Sequence, residues 1–225
     1  MRRFAVQGVL LDLDGTLIDT VGDLAETAAR MLAELQRPPR SVAEVRSYVG
    51  KGMPTLVRRC LYDGRDEPVD EALVAQGIEV FRRHYAALNG QFSAVYPGVF
   101  DTLATLRAMG LALACVTNKP EEFTLPLLER MDLDVYFPVV VCGDTLPTKK
   151  PEPHMLEHAC AQLGITAERA LMIGDSANDA VAARAAGMPV LLVTYGYAEG
   201  RAVDTIECDG LLSNALDALP FLVRV

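Results

Sequence analysis

Short runs of apolar residues recur along the chain, and each run stops at a turn or at a polar residue. Residues 8–11, 111–116, 138–142 and 170–174 have the length and the continuous hydrophobicity of strands that are buried in a parallel sheet. A helical pattern over residues 100–109 ends at a glycine shortly before the second run. The alternation of strand and helix patterns predicts an α/β fold with a parallel sheet.

The stretch between the first and second runs is helical in pattern throughout. Its apolar residues recur at spacings of three and four, and no convincing strand pattern interrupts them. It is too long for a loop in a compact domain, so we expect an inserted helical cap domain at residues 20–93. The core domain would then be discontinuous, with residues 1–19 and 94–225. The predicted cap helices cover residues 21–35, 41–50, 54–61 and 70–88.

Two carboxylates, Asp12 and Asp14, follow the first apolar run. Because side chains alternate along a strand, both point to the same side, and at roughly 4 Å with an effective dielectric near 20 they repel by about 4 kcal/mol. A bound cation would relieve this repulsion, and oxygen ligands favour a hard ion such as Mg²⁺. Taken alone, the pair is equally compatible with a polar strand end that turns into a loop.

The second run ends at Thr117 and Asn118. Pro120 suits the first position of a helix, which places both residues at a helix N-terminus. Free N–H groups at such a position can hold a phosphate. The alternative is a simple helix cap.

Ionisable side chains also follow the third and fourth runs. Lys150, beside Pro151, could steady a phosphoryl group, although a lysine next to prolines is usually solvated. Asp175 ends the fourth run and Asp179 lies four residues later in the first turn of a predicted helix, so both can face one site. A helix cap would explain either Asp separately. It would not explain polar groups at every predicted strand end, which is the edge where open α/β sheets bind ligands.

The combination resembles the haloacid dehalogenase superfamily of aspartyl-phosphate phosphotransferases, and the resemblance covers essentially the whole chain. It implies a doubly wound, Rossmann-like core with a small helical cap inserted between the first two motifs. The matching motifs are Asp12-x-Asp14-Gly15-Thr16, Thr117-Asn118, Lys150-Pro151 and Gly174-Asp175-Ser176-x-x-Asp179.

The resemblance also implies a mechanism. Asp12 would be the nucleophile that forms an aspartyl-phosphate, and Asp14 would be the general acid and base. Asp12, the main-chain carbonyl of Asp14 and Asp175 would bind Mg²⁺. The remaining implied roles are phosphoryl binding by Thr117, the Asn118 amide and Lys150, substrate binding by Thr16, and support of the metal waters or of Lys150 by Asp179.

Asp14 narrows the choice among relatives. Superfamily dehalogenases and phosphonate-cleaving hydrolases lack an aspartate at this position, because they have no alkoxide to protonate. Residues 96–99, 116–120 and 193–197 resemble the phosphoglycolate phosphatase family, which implies hydrolysis of 2-phosphoglycolate. Sugar-phosphate phosphatases and phosphotransferases similar to β-phosphoglucomutase share several of these segments and stay as alternatives. A receiver-like signalling protein and a non-catalytic phosphate-binding protein are remote alternatives.

A turn-prone triplet, Gly50-Lys51-Gly52, lies between two predicted cap helices. It resembles the specificity loop of the family, in which glycines let the backbone approach the ligand and the Lys51 ammonium would meet a substrate carboxylate. A plain connection between helices, with a solvated lysine, is the alternative.

Composition narrows the partners and the compartment. A formal net charge of −9 disfavours binding to nucleic acid or to an anionic membrane. The five cysteines are scattered and odd in number, which is typical of reduced thiols in the cytoplasm. No apolar span reaches membrane length, and Asp12 follows Met1-Arg2-Arg3 too soon for a secretory signal. We therefore expect a cytoplasmic protein, monomeric or homodimeric, whose partner is a small phosphorylated metabolite.

Overall fold

A six-stranded parallel sheet forms the centre of the protein in the computed structural model, which describes residues 3–64 and 70–225. Met1 and Arg2, on which the expectation about a secretory signal depends, and residues 65–69 of the expected cap lie outside the described residues. The strands of the sheet are, in chain order, β1 Gly8–Leu11, β2 Ala112–Val116, β3 Val139–Val141, β4 Ala170–Gly174, β5 Val190–Val193 and β6 Gly210–Leu212.

The strands lie in the order β3-β2-β1-β4-β5-β6, and all neighbours are parallel. This is the order of a doubly wound sheet, so the predicted fold class is confirmed. The four predicted strands are β1 to β4, and β5 and β6 extend the sheet beyond them. The winding reverses between β1 and β4, and ligands bind in the crevice at such a switch point.

The α-helices of the described residues follow the predicted pattern closely. In chain order they are α1 Val21–Glu34, α2 Val42–Tyr48, α3 Met53–Leu61, α4 Glu71–Leu88, α5 Val99–Ala108, α6 Glu121–Arg130, α7 His154–Leu163 and α8 Ala177–Ala185.

Local signals set several helix starts. α2 begins with a capping box, in which the Ser41 hydroxyl accepts from the Glu44 amide (3.2 Å) and the Glu44 carboxylate accepts from the Ser41 amide (2.7 Å). Asp70 caps the start of α4, since its carboxylate accepts from the Ala72 and Leu73 amides. These contacts pair N–H groups that a helix start otherwise leaves free.

Helices cover both faces of the sheet, so every residue of β1 is buried. Successive side chains of β1 enter different apolar clusters. Leu11 packs in a cluster that includes Leu103 of α5, whereas Leu10 packs in one that includes Met155 of α7. The strand therefore has no polar face, which explains its continuous hydrophobicity.

Helices α1 to α4 pack around a separate apolar cluster that includes Met31, Val57 and Phe81. The chain leaves and re-enters the sheet region through a short antiparallel pair, Ile18–Asp19 with Ala94–Val95. We propose that this pair is the domain boundary, because the expected limits at residues 19 and 94 fall on it. None of the described helices combines the length and the hydrophobicity that a membrane crossing requires.

Candidate active site

Lys150 joins two strand ends at the carboxyl edge of the sheet. Its Nζ donates to Asp12 Oδ1 (2.7 Å), to Asp179 Oδ1 (2.6 Å) and to the carbonyl oxygen of Val116, the last residue of β2 (2.7 Å). Burial alone would lower the pKa of Lys150, but Asp12 and Asp179 hold that pKa above its usual value. The structure brings Lys150 together with Asp12 and Asp179, while phosphoryl binding by Lys150 stays a prediction.

Asp12 follows β1 directly and is almost completely buried. Burial raises its pKa to about 7, although the Lys150 ammonium acts in the opposite direction. A carboxylate in this position needs positive charge nearby to stay ionised. Lys150 supplies part of that charge.

Asp175 follows β4 and faces Asp12. Its Oδ2 accepts from the main-chain amide of Tyr197 (2.6 Å), which orients the carboxylate. Burial and the charges of Asp12 and Asp179 raise the pKa of Asp175 well above its usual value. This carboxylate therefore also lacks a sufficient counter-charge.

Asp179 is fixed from both sides. While Oδ1 accepts from Lys150, Oδ2 accepts from the Ser176 amide (3.1 Å), the Ser176 hydroxyl (2.8 Å) and the Asp175 amide (3.2 Å). The Asp179 carboxylate is thereby committed to holding Lys150 and the start of α8. Such contacts suit a residue that supports the site from behind.

The three carboxylates fit a divalent cation. Asp12, Asp175 and Asp179 are all buried, and each offers an oxygen within 4.8 Å of the others. Lys150 offsets one of three negative charges, which leaves the cluster at a formal charge of −2. Carboxylate oxygens are the ligands that hard ions such as Mg²⁺ prefer.

Asp14 lies apart from that cluster and faces the cap. Its carboxylate accepts from Lys119 Nζ (3.1 and 3.4 Å) and from the Thr20 hydroxyl (2.7 Å). Lys119 Nζ also donates to the Tyr85 hydroxyl of α4 (2.6 Å) and lies 4.7 Å from the centre of the Tyr85 ring. Burial would lower the pKa of Lys119, but Asp14 and Tyr85 keep it above its usual value.

Thr117 and Asn118 lie where the prediction placed them, between β2 and α6, and both are buried. The Thr117 hydroxyl accepts from the Lys119 amide (3.2 Å). The Asn118 side chain donates to the carbonyl oxygens of Lys150 (2.9 Å) and Gly50 (3.0 Å). That side chain therefore ties two loops together, and phosphate binding by the main-chain amide of Asn118 stays a prediction.

The Gly50-Lys51-Gly52 loop reaches the core. The carbonyl oxygen of Gly50 also accepts from Asn178 Nδ2 (3.2 Å). Gly52 has a φ of 82°, and a Cβ there would lie 3.1 Å from the Asn118 carbonyl oxygen, so the close approach favours glycine. Lys51 points elsewhere, since its side chain is 44% exposed and its Nζ lies 3.9 Å from Glu199 Oε2.

Thr16 is buried, but it does not lie among the described residues that line the cavity. Its carbonyl oxygen accepts from the Tyr195 hydroxyl (3.0 Å), and its own hydroxyl has no partner in the described structure. Thr16 is thus separated from the other residues expected to bind substrate.

A cavity separates the two parts of the molecule. Its core side contains four carboxylates, those of Asp12, Asp14, Asp175 and Asp179, two lysines, Lys119 and Lys150, and Thr117, Asn118, Ser176 and Asn178. Among the described residues, the cap contributes a largely apolar wall of Leu24, Val49, Met53, Leu56 and Phe81, together with Gly50, Gly52 and Tyr85, whose hydroxyl bonds to Lys119.

Two residues that the sequence analysis did not assign to the site belong to it. Lys119 is adjacent to the Thr117-Asn118 motif, a signal that could have drawn attention to it. Tyr197 holds Asp175 through its amide, and its hydroxyl accepts from the Thr20 amide (2.6 Å) at the start of α1. Tyr197 lies in residues 193–197, and the sequence signal there is the resemblance of that segment to the phosphoglycolate phosphatase family.

Known proteins match this chain over most of its length. The family model for haloacid dehalogenase-like hydrolases matches residues 6–187. A phosphoglycolate phosphatase from Thiobacillus denitrificans is 44% identical over 213 residues, or 95% of this chain and 94% of that protein. A phosphoglycolate phosphatase from Nitrosospira multiformis is 46% identical over 219 residues, or 97% and 96%.

A solved structure agrees. The crystal structure of a predicted phosphoglycolate phosphatase from Haemophilus somnus matches with a TM-score of 0.89 at 30% identity, over 96% of this chain and 97% of that one. The chain belongs to the haloacid dehalogenase-like hydrolase family, and it is therefore an enzyme of the hydrolase class. The predicted family and the predicted similarity to phosphoglycolate phosphatases are confirmed. The predicted enzyme class, a phosphoric monoester hydrolase, is confirmed as well.

Proposed function

We propose that this protein is a Mg²⁺-dependent phosphomonoester hydrolase that converts 2-phosphoglycolate and water to glycolate and phosphate. The observation that carries the proposal is the buried Asp12–Lys150–Asp179 network with Asp175 beside it, open to a cavity that Asp14 shares. Relatives at 44–46% identity are named phosphoglycolate phosphatases, which supports the substrate.

The proposed reaction has two halves. In the first, a carboxylate oxygen of Asp12 attacks phosphorus, the bond from phosphorus to the ester oxygen breaks, and Asp14 gives a proton to the leaving alcohol. In the second, Asp14 takes a proton from water, the water oxygen attacks phosphorus, and the aspartyl-phosphate bond breaks to release phosphate. Asp12 and Asp14 return to their starting forms.

The surrounding groups stabilise charge in both halves. Mg²⁺ held by Asp12, Asp175 and the main-chain carbonyl of Asp14 would offset the charge of the phosphoryl oxygens. Lys150 orients Asp12 and adds a fixed positive charge beside it. The Thr117 hydroxyl and the Asn118 amide lie just before α6, which starts at Glu121 after its N-cap Pro120, and N–H groups at a helix N-terminus favour an anion.

The cap wall supports a small substrate. Leu24, Val49, Met53, Leu56 and Phe81 have no polar side-chain groups for the hydroxyls of a sugar, and the hydroxyl of Tyr85, the one polar side-chain group of the described cap residues there, is already bonded to Lys119. Hydroxyls buried against such a wall would stay unpaired, at a cost of about 1–3 kcal/mol each. A two-carbon acid has no such hydroxyls, so this wall favours 2-phosphoglycolate over phosphorylated hexoses. A small-metabolite substrate also supports the proposed cytoplasmic location. The formal net charge of −9 supports the proposal that the protein has no nucleic-acid or membrane partner.

The test is phosphate release from a panel of small esters. With Mg²⁺ present, we expect 2-phosphoglycolate to have the highest kcat/KM, ahead of glucose 6-phosphate, glucose 1-phosphate and an aryl phosphate. A higher value for a hexose phosphate would contradict the substrate. Absence of turnover on every ester would contradict the activity itself.

The same assay tests the metal. Chelation should stop phosphate release and added Mg²⁺ should restore it, since the acidic cluster lacks counter-charge without a cation. Ca²⁺ should inhibit, because its larger and looser coordination lets Asp12 bind through both oxygens and blocks attack. Full activity after thorough chelation, or in Ca²⁺, would contradict the proposed metal site.

A further inference from the structure

Lys150 and Lys119 are the two cationic side chains among the described residues that line the cavity, and they differ in how fully the protein uses them. Lys150 donates to three separate acceptors, which matches the three N–H bonds of an ammonium. Lys119 donates to the Tyr85 hydroxyl at 2.6 Å and to both oxygens of the single Asp14 carboxylate, at 3.1 and 3.4 Å. The 3.4 Å contact is the longest of the three, and a ligand carboxylate could accept that N–H bond in its place.

The position of Lys119 relates it to the leaving group. As general acid, Asp14 must reach the ester oxygen of the substrate, and Lys119 Nζ lies 3.1 Å from Asp14 Oδ1. In 2-phosphoglycolate a single CH₂ group separates that ester oxygen from the carboxyl carbon. A cation in contact with Asp14 is consequently within reach of the substrate carboxylate.

Electrostatics favour such a contact. The described residues that line the cavity include four carboxylates and two ammonium groups, so their formal charge is −1 with Asp14 protonated as a general acid and −2 once it has given up its proton. A divalent ion at Asp12 and Asp175 would serve the phosphoryl group, whereas the carboxylate at the other end of the substrate would still lie beside Asp14. Among the described residues, those of the cap that line the cavity carry no charge, and the half-exposed Lys51 lies outside it.

From these contacts we infer that Lys119 binds the carboxylate of the leaving group and gives the enzyme its preference for acidic esters. This inference rests on the proposed function. Tyr85 is the positioning residue, because its hydroxyl fixes Lys119 Nζ and its ring packs edge-on against Phe123, with 4.9 Å between ring centres. Since Tyr85 belongs to α4, the carboxylate site is complete only when the cap lies against the core.

The test compares two esters with the same carbon skeleton, 2-phosphoglycolate and 2-hydroxyethyl phosphate. The second replaces the carboxylate by a neutral CH₂OH group. The readout is the ratio of their kcat/KM values. Lys119→Met should lower this ratio by roughly 10- to 100-fold, the value of a hydrogen bond between charged groups. The change should lie mainly in KM, because the contact is made in the ground state as well.

Two further variants keep the result interpretable. Lys119→Arg retains the charge and should retain most of the preference for the acidic ester. If Lys119→Met fails to fold by circular dichroism, Lys119→Gln carries the same comparison, because its amide can still donate to Asp14. Lys51→Met is measured in parallel, since Lys51 was the residue that the sequence suggested for this role.

The outcomes separate the inference from the function on which it rests. A wild-type enzyme that prefers 2-phosphoglycolate, together with a Lys119→Met variant that keeps this preference, overturns the inference alone. So does a fall in the ratio in Lys51→Met instead of Lys119→Met, or an equal loss on both esters. A wild-type enzyme that prefers 2-hydroxyethyl phosphate overturns the proposed substrate and the inference together.

Discussion

The two sides of the cavity differ in their chemistry. On the core side, Asp12, Lys150 and Asp179 form a continuous hydrogen-bonded network at the ends of parallel strands. On the cap side, the wall is largely apolar, as at Leu56 and Phe81, and Tyr85 adds a hydroxyl that bonds to Lys119. In the proposed mechanism the sheet edge therefore carries the groups for bond breaking, while the cap acts on the choice of substrate through shape, exclusion of water and the contact of Tyr85 with Lys119.

The two sides also differ in how they are held. The core network is supported by elements of the sheet itself, whereas the cap is joined to the core by polar contacts and by packing of Phe123 and Tyr197 in the cap cluster. Asn118 donates to Gly50, Lys119 donates to Tyr85, and Arg46 of α2 donates to the Gly196 carbonyl oxygen (2.7 Å). Two of these hydrogen bonds involve residues of the site, so contacts that hold the cap also position groups of the site.

The largest effect is expected from a substitution in the core network, which tests whether the core side of the cavity carries the chemistry. Asp12→Asn keeps the shape of the side chain but removes the proposed nucleophile, so phosphate release should fall by about 10⁴-fold or more on every ester. The circular dichroism spectrum should stay that of the wild type. The measurement is initial rate at saturating 2-phosphoglycolate with Mg²⁺.

A matched control for Asp12→Asn is Asp101→Asn, which makes the same chemical change on the exposed surface of α5. This variant should keep the wild-type rate. Substantial activity of a folded Asp12→Asn enzyme would rule out Asp12 as the nucleophile, and the core side would then lose its assigned role.

Asp14 lies between the two sides, so its substitution should have an intermediate effect. The amide oxygen in Asp14→Asn can still accept from Thr20 and Lys119. The amide group, however, cannot give a proton to the leaving alcohol or take one from water. Turnover should fall by about 10²–10⁴-fold, the usual contribution of general acid–base catalysis. Mass spectrometry after rapid quenching should detect phosphorylated Asp12, since attack by water also slows. An Asp14→Asn enzyme with the wild-type rate would exclude this role.

The smallest effect is expected within the cap. The buried carboxylate of Asp23 accepts from the amides of Gly90 (2.7 Å) and Phe92 (2.6 Å) and from the Ser93 hydroxyl, and so holds the segment that returns to the core. Asp23→Ala leaves these donors without this acceptor and should lower the free energy of unfolding by about 1–3 kcal/mol. Urea denaturation measures the change.

Glu26→Ala, on the same helix, is the control for Asp23→Ala. Its ion pair with Arg30 is largely solvent-exposed, so its loss should cost only about 0.3–0.5 kcal/mol. Equal destabilisation by the two variants would mean that the Asp23 contacts do not stabilise the cap more than an exposed ion pair does.

The sequence by itself determined the core side of the cavity. Asp12, Thr117 and Asp175 each follow a buried strand, and parallel strands bring their carboxyl ends to one edge whatever the details of packing. The periodic pattern of residues 20–93 likewise predicted the four cap helices to within one or two residues, because amphipathic spacing is a local property. These features depend only on the order of the residues along the chain, which the sequence gives directly.

Only the tertiary structure decided which lysine the cap covers. In the sequence, Lys51 and Lys119 are both single lysines next to glycine or proline, and although Lys119 adjoins the Thr117-Asn118 motif, neither local pattern shows which lysine is buried. Packing of α4 over the sheet edge places Tyr85 on Lys119 and leaves Lys51 half exposed. Burial of a charged side chain depends on contacts between residues far apart in the chain, such as Lys119 with Tyr85, and a short-range pattern carries no information about them.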